Sequence, residues 1–198
     1  MHISEGVLSL PVIAGGWALG AGGVALGLRK TPVEEIPKTA LVSSVLFLAS
    51  LVNVPLGPSS IHLTLLGLAG YILGFSAFPA LFVALFLQGM LFQFGGLLSL
   101  GVNTTIMGCA ALSGLIVRRL FRNKRSVVSS FLAGFTAIIT GSIMVVFALV
   151  LSSYDMVSTA ALIMAANLPL AIVEGVLTFF VVLFLERIKP DVFRQIRS

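Results

Sequence analysis

Long apolar runs separated by three short basic clusters make up almost the whole chain. Positions 39 to 117 hold 79 residues without one Asp, Glu, Lys or Arg. The runs are continuous and do not alternate with polar positions, which predicts helices and not barrel strands. A membrane-spanning helix takes about 20 apolar residues, so this stretch alone holds several. The basic clusters are Arg29, Lys30 and Lys38; Arg118, Arg119, Arg122, Lys124 and Arg125; and Arg187, Lys189, Arg194 and Arg197. Together they contain all twelve Lys and Arg residues. The tendency of basic residues to stay inside places each cluster on the cytoplasmic face, so an even number of crossings separates consecutive clusters. Residues 39–117 fit four short helices, 126–185 fit two, and one helix precedes the first cluster. The pattern therefore predicts an all-α polytopic membrane protein of about seven transmembrane helices, with its N-terminus outside and its C-terminus cytoplasmic. The expected helices cover roughly 9–28, 39–55, 60–76, 79–95, 103–121, 127–152 and 167–186. Ser59 and Ser60 are expected to cap the third, Pro79 to open the fourth, and an outside loop to fill the interval before the seventh.

Composition sharpens this reading. Apolar residues are 58% and charged residues 10% of the chain, against roughly 45–50% and 25% in soluble domains. One membrane domain over 1–198 is expected: an extracytoplasmic N-terminus over 1–8, a helix bundle over 9–186 and a basic cytoplasmic tail over 187–198. The net charge of +5 reads as membrane orientation, with lipid and not nucleic acid as the surrounding partner. The first basic residue, Arg29, follows the apolar run from Leu8 to Leu28. A cleavable signal carries its basic residues first, so the chain is expected to keep its N-terminus. Cys109 is the lone cysteine and reads as a small hydrophobe.

Candidate chemistry is sparse and sits at one end. Met1-His2 offers a terminal amine, the His2 backbone nitrogen and the His2 imidazole, which close two fused chelate rings on one metal ion. Three nitrogens in a plane suit Ni(II), Cu(II) or low-spin Co(II); a chance Met-His start is the alternative. The only other histidine, His62, is expected on the same outer face at a helix start, where a neutral imidazole is favoured. It is either a fourth nitrogen ligand or a hydrogen-bonded structural group. Gly16, Gly20, Gly23 and Gly27 line one face of the first helix, open to close approach by a partner subunit or by a neighbouring helix of the same bundle. Glu174 stands alone deep in the last helix, where a carboxylate is costly and either gates or is paired. Gln93 and Asn103 lie near the outer ends and could border a pocket. The chain lacks a G-x-x-x-x-G-K-[ST] phosphate loop and a Ser/His/Asp set, so no enzymatic activity and no bound cofactor are expected.

The opening Met1-His2-Ile3-Ser4-Glu5-Gly6-Val7-Leu8 resembles the start of the CbiM/NikM family, the substrate-specific membrane subunits of energy-coupling-factor (ECF) transporters for cobalt and nickel. The resemblance continues through Gly57-Pro58-Ser59-Ser60-Ile61-His62-Leu63, Gln93-Phe94-Gly95-Gly96, Gly101-Val102-Asn103-Thr104, and Leu168-Pro169 to Glu174-Gly175. It implies a seven-helix protein whose N-terminus tucks into the bundle from outside. It also implies Co(II) or Ni(II) held in a near-square plane by Met1, His2 and His62. Implied partners are a transmembrane coupling subunit, two cytoplasmic ATPases that hydrolyse the ATP, and in some systems a small accessory membrane protein, all at a prokaryotic cytoplasmic membrane. Leu66 and Ile106 stand where Asn is common in that family. The expected function is the substrate-binding subunit of an ATP-driven cobalt or nickel importer. The rivals are a structural membrane subunit that anchors a larger complex and a secondary transporter of another small solute. The sequence does not separate cobalt from nickel.

Overall fold

The computed structural model describes residues 3–56, 59–121, 126–152 and 157–197; the expectations for Met1 and His2 fall outside them. Its elements are α1 (Leu10–Arg29), a short 3-10 turn (Val33–Glu35), α2 (Ile36–Ser50), a hairpin of β1 (Asn53–Leu56) and β2 (Ser59–His62), α3 (Leu66–Leu73), a second 3-10 turn (Gly74–Ser76), α4 (Ala77–Phe92), α5 (Leu100–Leu120), α6 (Ser126–Ser152), α7 (Val157–Ile188) and a terminal 3-10 helix (Pro190–Arg197).

Lys30, Lys38 and Arg118 gather at one end of the bundle. Lys30 lies 3.8 Å over the Phe75 ring, and the Thr31 hydroxyl donates to Ser76 Oγ at 2.8 Å. Arg118 donates to the carbonyls of Tyr71 and Phe193, and Lys38 to that of Val192. These contacts join the end of α1, the α3–α4 turn, the end of α5 and the C-terminal helix. At the far end, Phe47 of α2 packs against Phe92 of α4, and Trp17 Nε1 donates to the Leu98 carbonyl at 3.0 Å.

The largest departure from expectation lies between α2 and α4. The helix predicted to 55 ends at Ser50, and the Ser59-Ser60 pair expected to cap a helix belongs to a strand, with Pro55 opposite Ser60 and Asn53 opposite His62. Pro55 has no N–H to continue a helix and biases Val54 toward extended backbone. A two-stranded hairpin tolerates Pro because both of its strands are edges. The Leu63 N–H prolongs the ladder to the Val52 carbonyl at 3.3 Å. The predicted helix at 60–76 therefore shrinks to the eight residues of α3. α3 descends to the basic end, the chain reverses where Gly74 takes φ 59° and ψ −124°, and α4 returns. Backbone crowding explains α3's small residues: a Cβ at Gly70 would collide with the Ala111 carbonyl of α5.

Among the described residues, five segments are long and apolar enough to cross a membrane: Leu10–Arg29, Leu66–Phe92, Leu100–Leu120, Val127–Ser152 and Leu162–Ile188. The second is broken at the Gly74 turn and folds back on itself. At 1.5 Å per residue α3 reaches about 12 Å and α2 about 22 Å, short of a hydrocarbon core of roughly 30 Å. The last helix also departs from expectation. It begins at Val157, ten residues earlier than predicted, and runs through Pro169, which transmembrane helices tolerate when neighbours satisfy the freed backbone groups.

The glycine face of α1 is occupied within the chain. Added Cβ atoms would strike Val102 at Gly16, the Gly101 carbonyl at Gly20, Phe78 at Gly23, and Pro79 with the Phe75 carbonyl at Gly27. The four glycines thus bring α1 against α5 and the start of α4, the neighbouring-helix use of the two open to that face. The face of α1 turned outward carries Leu10, Leu19, Leu26 and Leu28.

Candidate metal-binding site

His62 ends β2 at the far end of the bundle and is 8% exposed. Its ring borders a cavity of about 10 Å³, lined also by Ser50, Thr64, Leu81, Gln88 and Met107, room for roughly one water molecule. Nδ1 lies 3.4 Å from the Leu63 carbonyl. Burial first, and the positive charge of the amino terminus second, push the imidazole down to about pKa 3. The ring is therefore neutral at physiological pH and carries one lone pair on nitrogen. The Gln88 amide oxygen, beside the same cavity, is buried without a hydrogen-bond partner.

The loop that follows His62 is held by Glu174 of α7. This carboxylate is 0% exposed. Oε1 accepts from the Thr64 N–H, from the Thr64 hydroxyl at 2.8 Å and from the Leu65 N–H at 3.0 Å; Oε2 also accepts from the Leu65 N–H at 3.0 Å. Apart from the Thr64 hydroxyl, the donors are backbone N–H groups at the start of α3, which have no carbonyl of their own helix to bond. Leu65 itself sits in the left-handed region at φ 50°. The carboxylate set deep in the last helix is thus a cap for another helix.

The N-terminal segment is anchored to the same end by side chains from distant elements. Asn103 of α5, 2% exposed, accepts from the Ile3 N–H at 3.0 Å through Oδ1 and donates to the Ile3 carbonyl at 3.1 Å through Nδ2. One side-chain amide here pairs with both backbone groups of a single residue. Glu5 accepts from the Leu98 N–H at 2.8 Å, and the Ser9 N–H donates to Ser152 Oγ at 3.2 Å. Ile3 and Leu8 are buried with Val102, Ile106, Val145 and Leu149. Ile106 therefore meets apolar side chains, and Leu66, fully buried, lies in the main core.

α5 connects the two halves of the site. Asn103 and Met107 are four residues apart and so share a face, about 6 Å apart along the axis. One clasps Ile3 and the other lines the His62 cavity. Asn103 thus stands one helical turn from a residue of the His62 cavity. Gln93 is exposed and ends α4 in a left-handed conformation, with its N–H on the Gln88 carbonyl. Glu5 and Thr64 escaped the sequence reading, because a surface-type Glu and a lone Thr carry no signal until the chain closes around them. Among the described residues no group of three or more His, Cys, Asp and Glu side chains could hold a metal ion.

Comparison with known proteins gives this end of the molecule a context. Residues 2–192 match the family model described as CbiM, cobalt uptake substrate-specific transmembrane region. A putative metal transport protein of Haemophilus influenzae is 34% identical, with 98% of each chain aligned. A putative fused nickel transport protein NikMN of Archaeoglobus fulgidus is 26% identical over 98% of this chain and 68% of its own. A crystal structure of a transition metal transporter superposes with a TM-score of 0.85 at 26% identity, covering all of both chains. With nearly the whole length matched by that family model, and an apolar bundle that closes around its own N-terminal segment, the chain belongs to the CbiM family of membrane proteins for cobalt and nickel transport.

Proposed function

We propose that this protein is the substrate-binding subunit of an ATP-driven ECF importer for Co(II) or Ni(II), and that it holds the ion through the Met1 amine, the His2 backbone nitrogen, the His2 imidazole and the His62 imidazole. The observation that carries the reading is the clasp of Asn103 on Ile3, one helical turn from Met107 at the His62 cavity. Two residues of chain reach at most about 7 Å, so Met1 and His2 stay within that distance of Ile3. Nδ1 faces the Leu63 carbonyl, the arrangement in which a second group fixes the tautomer of a ligating histidine. Four nitrogens in one plane favour the square-planar and tetragonal ions.

The convergence of Lys30, Lys38 and Arg118 at the opposite end supports a seven-pass topology in one membrane domain, with the basic end cytoplasmic and the metal site outside. ATP hydrolysis then belongs to two cytoplasmic ATPase subunits, reached through a transmembrane coupling subunit; a small accessory membrane subunit completes the complex. The chain itself catalyses nothing.

One residue inserted before Met1 tests the ligand set. It moves the amine out of the fused-ring geometry and leaves both imidazoles in place. Calorimetric titration with Ni(II) and Co(II) is expected to show affinity at least 100-fold lower, whereas a site of two ordinary imidazoles tolerates the extension. Failure of the unmodified protein to bind either ion overturns the transport reading itself.

A further inference from the structure

We infer that Glu174, in the middle of α7, is a positioning residue that sets the His62 imidazole in the metal site by bonding the two residues that close its loop. The inference rests on the ligand set proposed above and adds to it a residue that is not a ligand. Glu174 reaches the loop from an element 110 residues away and accepts from Thr64 N, Thr64 Oγ1 and Leu65 N. Thr64 is two residues after His62, so its backbone position determines where the histidine Cα stands. Leu65 adopts a left-handed conformation that a leucine disfavours. The turn therefore needs an external partner, and the double contact of the carboxylate with the Leu65 N–H is that partner. The height of Glu174 is set in turn by close packing: a Cβ at Gly134 of α6 would collide with the Glu174 carbonyl. With Oε1 already accepting from three donors, the carboxylate holds the loop and does not bind the ion.

Glu174→Gln keeps the volume but removes the negative charge and replaces one acceptor oxygen by an N–H₂ group that cannot receive the Leu65 N–H. If Glu174 acts through His62, its loss matters only while His62 is present. The test is Ni(II) calorimetry on the purified full chain for wild type, Glu174→Gln, His62→Ala and the double variant, with the visible absorption of bound Ni(II) recorded alongside. Glu174→Gln is expected to lower affinity 10- to 100-fold, and less than twofold in the His62→Ala background. Its Ni(II) spectrum is expected to approach that of His62→Ala, as water replaces an imidazole. An equal loss in both backgrounds, or unchanged affinity and spectrum, overturns the inference. Should Glu174→Gln not yield folded protein, Thr64→Val carries the same test by deleting one donor: a 3- to 10-fold loss that vanishes without His62 supports the inference, and no loss overturns it. Wild-type protein that binds no metal overturns the ligand set and this inference together. Binding wild type with an intact Glu174→Gln variant overturns the inference alone.

Discussion

Replacing Asn103 by alanine removes the two hydrogen bonds that clasp Ile3, at 3.0 and 3.1 Å, inside a region where both residues are at most 5% exposed. A buried hydrogen bond contributes about 1 kcal/mol net, so the pair contributes about 2 kcal/mol to keeping the N-terminal segment seated. If binding requires the seated segment, the apparent affinity falls by the fraction that remains seated. At about 1.4 kcal/mol per tenfold, the loss in Ni(II) or Co(II) affinity reaches up to roughly 30-fold. Asn103→Asp separates hydrogen bonding from volume. It keeps an acceptor for the Ile3 N–H but sets an oxygen against the Ile3 carbonyl, so its loss is expected to be at least as large despite an almost identical shape. Titration calorimetry of both variants, with thermal unfolding as a control for the bundle, reads the effect. An Asn103→Asp variant that is folded and binds within twofold of wild type refutes the clasp as a determinant of binding.

Gly20→Leu is expected to destabilise the isolated chain by at least 1–3 kcal/mol through overpacking against α5, seen as a lower melting temperature before any partner is added; an unchanged melting temperature with impaired subunit assembly would restore a partner role for that face. After Cys109 is replaced by Ala, a cysteine at exposed Leu98 is expected to react with an impermeant thiol reagent from outside intact cells and one at Lys189 is not; the reverse pattern inverts the topology. Because His62 is held down to about pKa 3, its ring stays neutral from pH 8 to 5. The ratio of wild-type to His62→Ala affinities for Ni(II) is therefore expected to stay constant across that window, and a ratio that collapses below pH 6.5 would show an ordinary, solvent-exposed imidazole.

The sequence by itself determined the class of the protein and its two ends. Charge-free runs admit only a bilayer, and the positions of the twelve basic residues predicted one basic end, where the described Lys30, Lys38 and Arg118 in fact meet. Met1-His2 and His62 stood out because nitrogen donors are rare in so apolar a chain. What lipid-like composition cannot specify is which apolar face meets a helix and which meets lipid, since hydrocarbon is as apolar as leucine. Only the tertiary structure showed that the Gly16–Gly27 face is used against α5 and α4. The hairpin at 53–62 was hidden for a related reason: an apolar segment with a Pro-Leu-Gly-Pro break is compatible with a helix end or a strand, and pairing decides. The contacts that build the site are the least local of all. Asn103 with Ile3 spans 100 residues and Glu174 with Thr64 spans 110. Each is a polar side chain whose partner is a backbone group, and a backbone group leaves no mark on the sequence.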